Sequence, residues 1–255
     1  VGATENIILA SIYAEGITQI TNAAMEPEIV DLAKCLNKMG AKITGAGTNI
    51  IKITGVQKLK DIGYKVMQDR IEAGTLLCAG AITGGNICLN YRTPEHITPI
   101  LNKLEEAGCD INIEKNKVYM QAPKKMKAVD IKTMPYPGFP TDMQSIFAST
   151  LTTAKGTSVI VENIFENRYR YTAELNKMGA KITTEGKTAV IKGVKKLSGA
   201  TVKSTDLRGG ACMVLAGLSA KGITTVTNVE YILRGYENLD KKLNSLGAKI
   251  TIQKD

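Results

Sequence analysis

The sequence predicts an α/β fold of repeated helix–strand–helix–strand–strand units that share buried helices, and three observations predict it. The chain copies itself: LNKMGAKIT stands at 36–44 and again at 175–183, LNSLGAKIT at 243–251, and a weaker copy, LNKLEEAGCDI, at 101–111. Their glycines, Gly40, Gly108, Gly179 and Gly247, are 68, 71 and 68 residues apart. A second mark keeps step, since Gly16, Gly85, Gly156 and Gly222 precede those glycines by 24, 23, 23 and 25 residues. Two landmarks in phase mean internal duplication, at a period too long for a solenoid of helix pairs. Finally, the units carry a helix that is apolar round most of its circumference, which one unit cannot bury alone.

The last copy shows the elements in order. TDLRGGACMVLAGLSA (205–220) reads as the apolar helix, and Lys221-Gly222 ends it with a glycine suited to a left-handed cap. ITTVTNV (223–229) alternates β-branched and polar residues, a strand with one wet face. NLDKKLNSLGA (238–248) is an amphipathic helix with Leu239, Leu243 and Leu246, and AKITI (248–252) is a second strand. In earlier copies a turn, GAGTN (45–49) or TEGKT (184–188), leads into a third strand, IIKIT or AVIKG. The first unit opens at Val1 directly into its helix, so the chain is expected to be the distal part of a longer protein.

Composition narrows the function. A chain of 255 residues with 44% hydrophobic residues and no Trp suits a core of Ile, Leu, Val and Ala. No apolar run is long enough for a bilayer, and no signal peptide is visible, so a cytoplasmic protein without membrane partners is expected. Five cysteines without a CxxC pair, beside a single His, exclude zinc sites of the usual spacing and favour a reducing compartment. Cys78 and Cys212 fall in apolar helices, as small buried hydrophobes. The net charge of +9 comes from lysines scattered as singles and pairs, without interleaved aromatics. That reads as a solvated basic surface rather than a nucleic-acid site, with part of the potential open to a small polyanion.

Candidate chemistry lies where helices begin, because helix N-termini seat anions. Polar residues stand there at Gly2-Ala3-Thr4, Asp69-Arg70, Thr141-Asp142 and Asp206-Leu207-Arg208. Asp69 and Asp206 read equally well as plain N-caps. Asp142 differs, because PYPGFPT (135–141) places its turn with three prolines and a glycine. Arg168 and Arg234 each follow a glycine mark by 12 residues, and Arg208 sits in a first helical turn, where a cation needs a nearby anion. Repeated arginines at one structural position suit a bidentate grip on carboxylate or phosphate. The alternative pairs Arg168 and Arg234 with Glu166 and Glu237 on the surface.

These segments closely resemble the UDP-N-acetylglucosamine 1-carboxyvinyltransferase family of enolpyruvyl transferases. The matching motifs are VGATENI (1–7), NAAMEPEIVDLA (22–33), DRIEAGT (69–75), MKAVDIKTMPYPGFPTDMQ (126–144), FENRYR (165–170), TDLRGGA (205–211) and RGYENLDKKL (234–243), which cover essentially the whole chain in order. The related enolpyruvylshikimate-phosphate synthases share the fold but lack the PGFPTDMQ and FENR forms. The resemblance implies an inside-out α/β barrel with parallel central helices, of which this chain holds four of six units. Residues 1–67 would close a first domain, and residues 68–255 would form a second domain of three units related by a pseudo-threefold axis.

The same resemblance implies transfer of the enolpyruvyl group of phosphoenolpyruvate to the 3-hydroxyl of UDP-N-acetylglucosamine, in peptidoglycan precursor synthesis, with no metal or cofactor. Asp142 would hydrogen-bond that hydroxyl and act as its base. Ile164 and Phe165 would line the uridine-sugar site, Val1 and Gly2 would touch the nucleotide, and Asp206 would lie at the substrate. Arg234, with Arg168 and Arg208, would clamp carboxylate and phosphate. The family's amino-terminal Lys-Asn pair and its cysteine-bearing loop have no match here, so the chain alone is expected to be inactive. It is also expected to self-associate, because the helix bearing Ile7, Ile8, Leu9 and Ile12 calls for two partner units. The other readings are an enolpyruvylshikimate-phosphate synthase-like enzyme and a non-catalytic binding protein of this fold.

Overall fold

A computed structural model describes residues 1–253. The chain divides into two compact units: Val1–Gln68 with Pro135–Gly138, and the remainder from Asp69 onward.

The first unit runs α1 (Gly2–Ser11), β1 (Ile17–Thr21), α2 (Pro27–Met39), β2 (Lys42–Thr44) and β3 (Ile50–Thr54). Its sheet order is β1-β3-β2, so the third strand lies between the other two and pairs antiparallel with both. α2 is amphipathic: Pro27 opens it, Gly40 caps it at φ 109°, and Ile29, Ala33 and Leu36 face the sheet. α1 buries Ile8 and Ile12 in this core, whereas Ile7 and Leu9 stay 43% and 50% exposed.

In the second unit the first repeat has α3 (Arg70–Thr83), β4 (Asn86–Asn90), α4 (Thr98–Glu106), β5 (Asp110–Glu114) and β6 (Lys117–Gln121). A short strand β7 (Ile131–Lys132) follows, then a 3-10 turn (Thr141–Met143) that runs into α5 (Gln144–Leu151). β8 (Thr157–Val161), α6 (Tyr171–Lys177), β9 (Lys181–Glu185) and β10 (Thr188–Lys192) complete the second repeat. The last has β11 (Thr201–Lys203), α7 (Leu207–Ser219), β12 (Thr225–Thr227), α8 (Glu230–Leu233) and α9 (Leu239–Ser245). Strand orders β4-β6-β5 and β8-β10-β9 reproduce the first-third-second pattern, and β7 adds in parallel beside β8.

The helices α3, α5 and α7 pack on one another at the centre. Burial separates them from the amphipathic helices: all eight residues of α5 are buried and 11 of 14 in α3, against 4 of 13 in α2. Leu77, Ile146, Phe147 and Leu215 are fully enclosed, and each such side chain contributes about 1.5–3 kcal/mol. Small residues let the helices approach: a Cβ on Gly74 would lie 2.9 Å from Met143 Sδ. The helices run parallel, because their N-terminal ends converge. Asp142 just before α5 pairs with Arg208 of α7, and Tyr236, whose ring lies under Arg208, shares a 2.9 Å hydrogen bond with Thr75 of α3.

The repeated Leu-Asn now has a physical reason. Asn37 receives the N–H of Ile43 and donates to its carbonyl, both at 2.8 Å, and so clasps the strand that follows its helix. Asn176 does the same to Ile182, and Asn244 to Ile250. In the weaker copy, Glu105 takes that place three residues before Gly108, and Asn102 is not its equivalent. Asn176→Ala leaves two backbone groups without these partners, and is expected to cost about 1–3 kcal/mol in urea unfolding. A loss indistinguishable from zero would mean the clasp contributes nothing.

One expected strand is absent. Residues 248–252 form no ladder, although Asn244 still holds Ile250. Its counterparts β2, β5 and β9 pair with a third strand that follows them, and no such strand follows among the described residues.

Candidate active site

The site is built on two loops and a helix start within the second unit. β7 lies parallel to β8 in the register Ile131↔Ile160 and Lys132↔Val161, which sets Thr133 beside Glu162. Beyond Thr133 the chain loops out and returns at Phe139, where Met134 and Phe139 share a backbone hydrogen bond. Pro140 then leads into the turn that carries Asp142 at the head of α5. Beyond Glu162 the chain turns through Ile164 and Phe165 to Arg168.

Asp142, Arg168 and Arg208 meet. One Asp142 oxygen accepts from Arg168 Nη2 at 2.6 Å, and the other accepts from Arg208 Nε at 3.1 Å and lies 3.0 Å from Arg208 Nη2 as an ion pair. Burial alone would raise the Asp142 carboxyl, but the charges of Arg208 and Arg168 and their hydrogen bonds outweigh it, holding the group below the usual carboxylate range. Each guanidinium also lies over an aromatic ring, Arg168 at 4.9 Å from Phe165 and Arg208 at 5.1 Å from Tyr236. Burial would lower Arg208, yet Tyr236 and Asp142 raise it, so it stays a cation. Its Nη1 is buried with no hydrogen-bond partner among the described residues.

The three helix-start aspartates therefore differ in kind. Asp69 caps α3, accepting from the N–H groups of Ile71 and Glu72 at 2.7 and 3.0 Å. Asp206 caps α7 through Arg208 and Gly209, and its other oxygen accepts the Thr205 hydroxyl. One oxygen of Asp206 thus serves the helix backbone and the other a neighbouring hydroxyl. Asp142 makes no cap bond and gives its carboxylate to arginines.

Arg168 pairs with Asp142 and not with Glu166. Arg234 is not brought into this cluster: it ends α8, is exposed, and makes no ion pair among the described residues. Ile164 and Phe165 are 38% and 49% exposed, and the Phe165 ring lies under Arg168. Val1 and Gly2 begin α1 in the other unit and are exposed. Cys78 and Cys212 are buried, and burial pushes the Cys78 thiol up to about 12. Among the described residues no helix is long and apolar enough to cross a membrane.

Sequence reasoning missed Glu162. It is 1% exposed and receives four hydrogen bonds, from Thr133, Thr141, and the N–H groups of Ile164 and Phe165. The signal was the strand period: Ser158 and Ile160 face inward, so Glu162 shares their phase.

The family model described as EPSP synthase (3-phosphoshikimate 1-carboxyvinyltransferase) matches residues 1–243. The chain belongs to the EPSP synthase family. Within that family it is 54% identical over 250 residues to UDP-N-acetylglucosamine 1-carboxyvinyltransferase 1 of Caldanaerobacter subterraneus subsp. tengcongensis, covering 98% of this chain and 60% of the relative. The corresponding protein of Geotalea uraniireducens is 53% identical over 250 residues, with the same coverage. The chain thus spans about three fifths of the length of the relatives it matches. Among solved structures, the enolpyruvyl transferase NikO from Streptomyces tendae superposes with a TM-score of 0.88 at 25% identity, over 97% of this chain and 59% of that one. EPSP synthase from Acinetobacter baumannii gives 0.74 at 21% identity, over 97% and 60%, a likeness of fold. The enolpyruvyl transferase fold of the EPSP synthase family, with its repeated units round buried helices, is therefore the fold of this chain.

Proposed function

We propose that this chain carries the acceptor-sugar half of a UDP-N-acetylglucosamine 1-carboxyvinyltransferase, a cytoplasmic enzyme of peptidoglycan precursor synthesis and so of cell shape and division. The observation that supports it is one carboxylate, Asp142, held between Arg168 and Arg208 at the mouth of a buried helix trio. Identity above one half to relatives of that name favours the nucleotide sugar over shikimate phosphate as acceptor.

On this reading the arrangement does three things. Asp142 accepts the hydrogen bond of the sugar 3-hydroxyl and takes its proton as the oxygen adds to C2 of phosphoenolpyruvate, while C3 takes a proton from the acid on the family's loop; phosphate then leaves C2 as C3 gives up a proton and the double bond re-forms. Arg168, Arg208 and Arg234 receive the carboxylate and phosphate, whose oxygens gather charge before phosphate leaves. These roles are coupled. While Arg168 and Arg208 hold Asp142 its carboxyl is a weak base, and when they turn to an incoming anion its basicity rises. Ile164 and Phe165 border the nucleotide sugar. Residues 1–67 and 68–255 belong to a first and a second domain, the latter of three pseudo-threefold units. No residue of this chain matches the family's Lys-Asn pair or its loop cysteine, so the chain alone turns over nothing.

Calorimetric titration of UDP-N-acetylglucosamine into the chain tests the reading, beside a phosphate-release assay with phosphoenolpyruvate. Binding without phosphate release is expected. Absence of binding at millimolar nucleotide sugar would defeat the acceptor assignment, and sustained release dependent on both substrates would defeat the claim of inactivity.

A further inference from the structure

We propose that Glu162 is a positioning residue, the tie that sets Asp142 and Arg168 at their mutual distance. Its consequence for catalysis rests on the function proposed above, but its effect on Asp142 does not.

The carboxylate stands where the two loops of the site diverge. Its Oε2 accepts the hydroxyl of Thr141 at 2.9 Å, the residue before Asp142. Its Oε1 accepts the hydroxyl of Thr133 at 2.9 Å, where the same loop leaves β7. That oxygen also takes the N–H groups of Ile164 and Phe165, at 2.8 and 3.1 Å, which open the turn leading to Arg168. Thr133 adds a second link, accepting the N–H of Asn163 at 2.9 Å. One buried side chain therefore holds both ends of the Asp142 loop and the start of the Arg168 turn. Phe165 passes the constraint on, because its ring lies under the Arg168 guanidinium. A carboxylate this enclosed is costly to bury, and four donors are the compensation that keeps it there.

The four bonds separate positioning from charge. Two donors at Oε1 are backbone N–H groups, which cannot reverse. A glutamine would therefore keep its carbonyl there and turn its amide toward Thr141, whose hydroxyl can accept instead. Glu162→Gln can thus keep every link, whereas Glu162→Ala removes all four. Thr141→Val removes only the link next to Asp142 and leaves the rest of the hub intact. It guards against Glu162→Ala failing to fold.

The test uses the whole chain, labelled with 13C, and follows the titration of the Asp142 carboxyl by NMR. Arg168 and Arg208 are the charged groups that face it, with Tyr236 behind Arg208. Thr141→Val and folded Glu162→Ala are expected to raise the Asp142 midpoint toward the ordinary carboxylate range, as the arginines lose register with it. They should also weaken UDP-N-acetylglucosamine binding about tenfold. Glu162→Gln should restore most of both. An unmoved Asp142 midpoint in Thr141→Val overturns the proposal, as does a glutamine variant as disturbed as the alanine one. If the unaltered chain binds no nucleotide sugar, the functional reading falls while the titration still decides the role of Glu162.

Discussion

Asp142→Ala is expected to abolish nucleotide-sugar binding and to destabilise the second unit, because it removes the anion that two guanidinium groups share. Arg168 and Arg208 have side chains only 22% and 12% exposed, so neither is free to move fully into water. The stability loss should be about 1–3 kcal/mol, between the worth of a surface pair and that of a buried one. Its pH dependence has a definite sign. The folded Asp142 titrates below its unfolded value of about 3.9, so its contribution is complete above that value. It is lost as pH falls through the lower, folded value. Asp142→Ala should therefore match the parent most closely in strong acid and differ most at neutral pH, read from urea midpoints across the range. Binding within about twofold of the parent would remove Asp142 from the acceptor site.

Gly193→Ala should have a large effect on the fold alone. A Cβ there would lie 1.7 Å from the carbonyl oxygen of Ala154 and 3.3 Å from that of Gly156. The obstacle is backbone, which cannot rotate aside as a side chain can. Moving it would break the hydrogen bonds from Gly193 to Gly156 and from Val194 to Thr152. A loss of roughly 2–4 kcal/mol is expected, a melting point lower by roughly 5–15 °C. Gly2→Ala, with nothing within 4 Å of its Cβ, is the control. An unchanged melting curve for Gly193→Ala would mean the two segments lie farther apart than described.

Much of this architecture was legible because duplication makes a sequence its own alignment. Two glycine marks in phase located the units, and the apolar helix read at 205–220 is α7. Asp142 was legible because prolines placed its turn. Other features turned on partners that spacing does not reveal. Asp206 caps its own helix, through hydrogen bonds that spacing alone does not reveal. Arg234 shares a repeat position with Arg168, but the aspartate that draws Arg168 inward has no counterpart drawing Arg234 among the described residues. The final strand failed because a strand's ladder belongs to its neighbour as much as to itself.

The asparagine clasp carries a consequence for how such a protein arises. Asn37, Asn176 and Asn244 each reach a residue only six positions ahead, inside their own repeat. Closing so short a loop costs little chain entropy. The setting of helix against strand is thus encoded within a few residues and owes nothing to the neighbouring copy. A gene segment holding one such clasp is portable. Duplicated, it delivers a second unit whose internal alignment is already correct, leaving selection only the greasy helices to fit together.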